Sequence, residues 1–200
     1  MFAGSVASLA VLGAPDLILL SLTEFAAQAY RICRAGNLPL LVDADHGYGN
    51  ALNVKRAVEE LETAGVAALT IEDTDLPQPF GTVGDTRLVS IAEGVGKMQA
   101  ALAGRQDPKL VIAGRTSAAQ VTSLEDTVER AKAYAAVGVD ALFFVGVRTR
   151  AQLEAIASAV TIPIFLGGAG PELSDLEYLS AKGVRVALQG HQPFMAPVRS

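Results

Sequence analysis

Six short apolar runs limit what this chain can fold into. They are "LPLLVDA" (38–44), "VAALTIE" (66–72), "KLVIAGR" (109–115), "DALFFVG" (140–146), "IPIFLGG" (162–168) and "VRVALQG" (184–190). Each is apolar nearly throughout. A strand with one wet face alternates apolar and polar residues, whereas a strand covered on both faces does not. Such strands are the mark of a parallel sheet. Parallel neighbours need a long crossover between them, usually a helix. A further, first strand is expected within "MFAGS".

Helical patterns fill the gaps. "NALNVKRAVEELETAG" places Leu52, Val54, Ala57, Val58 and Leu61 near one face, with the chain turning into the helix at Asn50. "SLTEFAAQAYRICRAG" opens on Ser21 with Glu24 three residues on, a capping-box spacing, and Gly36 suits its C-cap. "SLEDTVERAKAYAAVG" repeats the spacing with Ser123 and Asp126, and two more helices are expected to start at Thr149 and Ser174. "AGVAAL", "VGVDAL" and "KGVRVAL" each join a helix end to the next strand, a weak internal repeat of stacked βα units. No linker or low-complexity stretch divides the chain, so residues 1–200 read as one domain. The expected fold is α/β, a (β/α)₈ TIM-type barrel. An open doubly wound sheet is the alternative, because a barrel needs an eighth strand and typically ~250 residues.

Composition excludes several partner classes. The net charge is −5 and no basic run or basic aromatic patch is present, which argues against nucleic acid. Cys33 is the one cysteine, so no intrachain disulfide forms; it reads as core packing in a reducing, cytoplasmic setting. The apolar start "MFAGSVASLAVLGAPDLILLSL" lacks a positive leading segment and is interrupted by Pro15 and Asp16. It reads as a buried strand and loop, with no membrane span.

In both candidate folds the active site lies at the C-terminal ends of the strands. Those ends carry Gly4 and Ser5, Asp43 and Asp45, Glu72 and Asp73, Arg115, Gly146, Gly167 and Gly168, then Gly190 and His191. Four carboxylates, an Arg and a His would thus meet at one mouth. Crowded buried carboxylates repel, and a divalent cation relieves them. Strand alternation sends Asp43 and Asp45 to one side, so the D-x-D pair suits one Mg²⁺ that keeps several waters. A capped turn at Asp45 is the other reading of the pair. Zinc is disfavoured by two His and one Cys. "HGYGN" lacks the Lys of a P-loop and the third Gly of a dinucleotide fingerprint. Arg115, at the end of an apolar strand, must pair with a protein carboxylate or with a carboxylate substrate. His191 shares the mouth and is a functional candidate; His46 reads as a side chain behind the site or at the surface.

"LLVDADHGYGN" with "GVAALTIED" resembles the isocitrate lyase and phosphoenolpyruvate mutase superfamily, and the resemblance extends over nearly the whole chain. It implies a Mg²⁺-dependent barrel acting on α-keto or α-hydroxy carboxylates. It implies Asp43 as the direct metal ligand, with Asp16, Asp45 and Glu72 holding metal-bound waters. Ser5 would hold the substrate's α-carboxylate or keto oxygen, with Arg115 paired to it. The lyases of this superfamily carry a Cys acid/base on a mobile loop after the "IED" strand. The corresponding "IEDTDLPQPFG" has neither Cys nor Lys. With "DADHGYGN" and "ALQGHQPF" it resembles the bacterial oxaloacetate decarboxylase branch, in which a His stands where His191 stands.

That branch implies decarboxylation of oxaloacetate to pyruvate and CO₂ through a metal-stabilised enolate. Arg115 and His191 would be the catalytic and substrate-binding residues beside Ser5. Mg²⁺ is the implied cofactor, with Mn²⁺ as a substitute, and the implied assembly is a homo-oligomer, a dimer of dimers. Members also have a strand and helix ahead of the "MFAGS" segment and helices after the last strand. The barrel is therefore expected to lack its first strand and C-terminal helices. The alternatives are a C–C lyase or hydrolase on a related 2-keto or 2-hydroxy dicarboxylate, or an inactive fragment.

Overall fold

The computed structural model describes residues 1–82 and 84–190. Its centre is one six-stranded parallel sheet: β1 (Leu41–Asp43), β2 (Ala68–Glu72), β3 (Val111–Thr116), β4 (Ala141–Val145), β5 (Ile164–Gly167) and β6 (Val184–Leu188). All six apolar runs form strands. The spatial order is β1-β2-β3-β4-β5-β6, so each strand adds on the same side of its predecessor. A doubly wound sheet reverses direction part-way; this one does not. It is a curled half-barrel, and among the described residues β6 pairs with β5 alone. The first expected strand is a single parallel bridge, Phe2 to Val42, with Phe2 N–H donating to the Leu41 carbonyl at 2.8 Å.

Period-2 alternation divides the strand residues between two cores. Val42, Leu69, Ile71, Ile112, Leu142, Phe144, Ile164 and Leu166 face outward into the main core beneath the helices. Ala113, Ala141, Phe143 and Phe165 face inward into a smaller cluster, with Leu41, Val145, Val186 and Leu188 against it. A bulge between Ile164 and Phe165 shifts the register to β6.

The helices are α1 (Gly4–Ala7, running into a π-turn at Ser8–Leu12), α2 (Leu22–Cys33), α3 (Ala51–Thr63), α4 (Ile91–Gly104), α5 (Ala118–Val121), α6 (Leu124–Val137), α7 (Arg150–Ala159) and α8 (Leu176–Ala181). Capping boxes start α2 at Ser21/Glu24 and α7 at Thr149/Gln152, and the Ser123 side chain accepts from Asp126 N–H at the start of α6. In α3 the Asn50 cap is worth ~1 kcal/mol. Burial of Val54, Val58 and Leu61 is worth ~1.5–3 kcal/mol each. The apolar face therefore decides where α3 lies.

Four expectations are corrected. Leu52 is 79% exposed, because it sits in the first turn, past the edge of the buried stripe. The α2 C-cap is Arg34 rather than Gly36, and α8 is capped by Asp175 rather than Ser174. In the apolar N-terminal stretch the expected strand shrinks to the Phe2 bridge, a helix and a π-turn follow it, and the loop after them is not buried, with Leu17 and Leu19 exposed. No helix among the described residues is long and apolar enough to cross a membrane.

Candidate active site

The inward face of the sheet carries chemistry only near its C-terminal rim. Asp43 is in register with Thr70, Glu72 with Arg115, and Arg115 with Phe143. Cross-strand neighbours on one face touch, and each of these pairs does. Thr70 Oγ1 donates to Asp43 Oδ1 at 3.1 Å. Arg115 Nη2 lies 3.0 Å from Glu72 Oε2, and its guanidinium carbon 5.4 Å from the Phe143 ring centroid. Arg115 also donates through Nη1 to Asp43 Oδ2. Its fork therefore spans two carboxylates, so of the two partners the sequence left open the protein carboxylate is present. Its Nε is buried without a hydrogen bond.

Asp45 reaches the same place by a different route. β1 ends at Asp43, and strand alternation does not carry to Asp45. A left-handed turn does: Asp45 has φ 48°, its N–H donates to Asp43 Oδ1 at 3.3 Å, and its carbonyl accepts from Glu72 N–H at 2.8 Å. Gly4 makes room for it. A Cβ on Gly4 would lie 2.7 Å from an Asp45 carboxylate oxygen, so any side chain there would displace the carboxylate.

Asp43, Asp45, Glu72 and Arg115 line a cavity of about 890 Å³ with Ser5, Asp16 and Phe143. Leu76, Pro77, Gln78, Pro79, Phe80, Gly81 and Thr82 form another part of its wall. Among the described lining residues four carboxylates accompany a single cationic side chain, Arg115. Burial, then the nearby Asp43, Glu72 and Asp16, pushes the Asp45 carboxyl up to about 8. Burial likewise raises Glu72 to about 7, with Arg115 opposing the shift and Asp43 adding to it.

One sequence expectation differs here, and His46 takes the first of its two expected places. Asp73 is not at the mouth: it follows Glu72 and so points to the opposite face, where Arg130 and Tyr134 bind it. His46 is buried behind the site. Burial, then Lys97, lowers its imidazole to about 4, and Lys97 Nζ donates to its carbonyl at 3.0 Å. His191 lies outside the described residues.

The family model for phosphoenolpyruvate phosphomutase matches residues 1–200. The chain belongs to that family. A family relative, the oxaloacetate decarboxylase of Rhodopseudomonas palustris strain BisB18, is 63% identical over 200 residues, which are 100% of this chain and 69% of that protein. Among solved structures in the phosphomutase and isocitrate lyase superfamily, an oxaloacetate acetylhydrolase in complex with the inhibitor 3,3-difluorooxalacetate superposes with TM-score 0.85 at 29% identity, covering 98% of this chain and 70% of that one. A phosphonopyruvate hydrolase in complex with oxalate and Mg²⁺ superposes with TM-score 0.83 at 28% identity, covering 98% and 71%.

The donor set fits a hard divalent cation. It is all oxygen, and it concentrates more buried negative charge than Arg115 balances. Among the described residues no three acidic, His or Cys side chains stand close enough to ligate one ion together. A set with one direct carboxylate and others holding waters is the arrangement Mg²⁺ favours. Thr70 and Phe143 carry no signal of a site role in the sequence. Their part in the site follows from cross-strand register, which one sequence does not reveal.

Proposed function

We propose that the chain catalyses decarboxylation of oxaloacetate to pyruvate and CO₂ at this rim. The observation that carries the reading is the contrast between two parts of the cavity lining. Arg115 stands amid carboxylates, whereas the lining segment 76–82 holds no carboxylate, His, Lys or Cys. Decarboxylation needs a sink for an electron pair and no covalent partner, and the 63%-identical relative carries that activity in its name.

In this reading Asp43 is the direct Mg²⁺ ligand, and Asp16, Asp45 and Glu72 hold the ion's waters. Bound Mg²⁺ supplies Lewis acidity at the substrate's keto group. Ser5 binds the α-carboxylate or keto oxygen. The C3–C4 bond breaks, CO₂ leaves neutral, and the electron pair moves to the keto oxygen as an enolate. Arg115 stabilises that developing charge, and because its neighbours already hold it in place, little reorganisation is needed. Protonation at C3 then gives pyruvate; His191 is the proposed proton donor or substrate-orienting group. The same reading includes a small dicarboxylate substrate, Mn²⁺ as a substitute metal, a cytoplasmic single-domain enzyme and a homo-oligomer.

The test is pyruvate release from oxaloacetate, measured with Mg²⁺ and with EDTA against the uncatalysed rate. Release that requires the metal is expected. Activity that survives chelation would remove Asp43 from its assigned role.

A further inference from the structure

Behind the rim, on the helical face of the sheet, lies a buried polar network that the proposed chemistry does not use. Asp73 is fully buried and Arg130 nearly so. Arg130 Nη1 donates to Asp73 Oδ2 at 2.9 Å and to the Val89 carbonyl at 3.0 Å, while its Nε donates to Asp126 at 2.9 Å. Tyr134 Oη donates to the same Asp73 oxygen at 2.7 Å. A Cβ on Gly94 would lie 2.3 Å from that hydroxyl, so Gly94 on α4 leaves the space it occupies.

The network joins three parts of the site. Asp73 immediately follows Glu72, and its N–H donates to the Arg115 carbonyl at 3.2 Å. Its carbonyl accepts from Val89 N–H at 2.8 Å, and Asp75 N–H donates to the Arg87 carbonyl at 2.8 Å. Thr74 and Leu88 form an antiparallel bridge between these bonds. The chain thus leaves the sheet at Asp73, builds the cavity wall with residues 76–82, and returns at Val89. Arg130 holds both the departure and the return. A buried ion pair contributes little net stability compared with well-packed apolar side chains. What this one supplies is a fixed geometry, through a planar fork that meets three acceptors at once.

We propose that Arg130 is a positioning residue for the reaction at the rim: with Asp73 and Tyr134 it clamps both feet of the wall segment and so holds Glu72 and Arg115 in register. Its activity readout rests on the decarboxylase reading; its structural readout does not.

The experiment compares wild type with Arg130→Lys, which keeps a cation opposite Asp73 but loses the fork, and with Tyr134→Phe, which removes one donor and leaves the ion pair. Arg87 is exposed, and the bond after it lies within the clamped return, so trypsin reports local opening there. In Arg130→Lys, cleavage after Arg87 is expected to accelerate about tenfold or more. The turnover number for oxaloacetate should fall ~10–100-fold while KM changes little, because misplacement by about 1 Å is felt in the chemical step. Tyr134→Phe should shift both readouts in the same direction by less, and it serves alone if Arg130→Lys does not fold. The proposal is overturned if both readouts stay at wild-type values, or if cleavage rises equally at all Lys and Arg sites, which would mark a general loss of stability. A wild-type chain that releases no pyruvate would sink the decarboxylase reading instead, and cleavage after Arg87 would still decide the clamp.

Discussion

Asp43→Ala is expected to reduce Mg²⁺-dependent pyruvate release by about 10³-fold or more, the scale of losing a central electrostatic stabiliser at a reacting centre. Asp43 meets Arg115, Thr70 and the Asp45 amide at once, so no neighbouring carboxylate can take over its position. The fold should survive, because Arg115 keeps Glu72 as a partner. Asp45→Asn removes a carboxylate assigned only to a metal-bound water, and should cost a smaller ~10–100-fold. Calorimetric titration with Mg²⁺ alongside the rate measurement checks both. Equal losses in the two variants would contradict the unequal roles.

Arg115 carries the second large effect, on activity and stability together. Arg115→Met strands Asp43 and Glu72 as buried carboxylates without a cation. Breaking a buried pair in this way costs ~3–5 kcal/mol, a large part of the ~5–15 kcal/mol that holds a typical domain folded. Denaturant unfolding should show the loss directly. Arg115→Lys separates the chemistry from the fold. It keeps the charge, but a single ammonium does not reproduce a fork that spans Asp43 and Glu72 and lies over the Phe143 ring. A folded Arg115→Lys protein should lose ~10²–10³-fold in kcat/KM. Near wild-type activity in that variant would show that a point charge suffices and that the fork is dispensable.

The sequence revealed the strands because burial on both faces leaves an unbroken apolar run, and the rule that active sites sit at strand ends then selected Asp43, Glu72 and Arg115. Where local pattern and three-dimensional register part company, reading from sequence stops. Adjacency in sequence puts Asp73 with Glu72, whereas strand alternation places consecutive residues on opposite faces. Asp45 lies at the mouth, but a left-handed turn rather than the strand alternation of D-x-D carries it there. Helix α4 gives a weak signal in the sequence because Gly94 and Gly96 dilute its helical signature and Lys97 stands on its buried face. Arg130, within "TVERAKAY", looks like an ordinary solvated helix charge. Only the fold shows that Asp73, 57 residues away, waits beneath it.

The bond of oxaloacetate that breaks identifies the reaction. Decarboxylation cleaves C3–C4 and gives pyruvate with CO₂; hydrolysis, the alternative within the superfamily, cleaves C2–C3 and gives oxalate with acetate. Carbon-13 NMR of the products formed from labelled oxaloacetate, with Mg²⁺ and the full chain, separates the two in one measurement. Pyruvate and bicarbonate, at a rate above the enzyme-free control, are the predicted products. Oxalate and acetate would contradict the account.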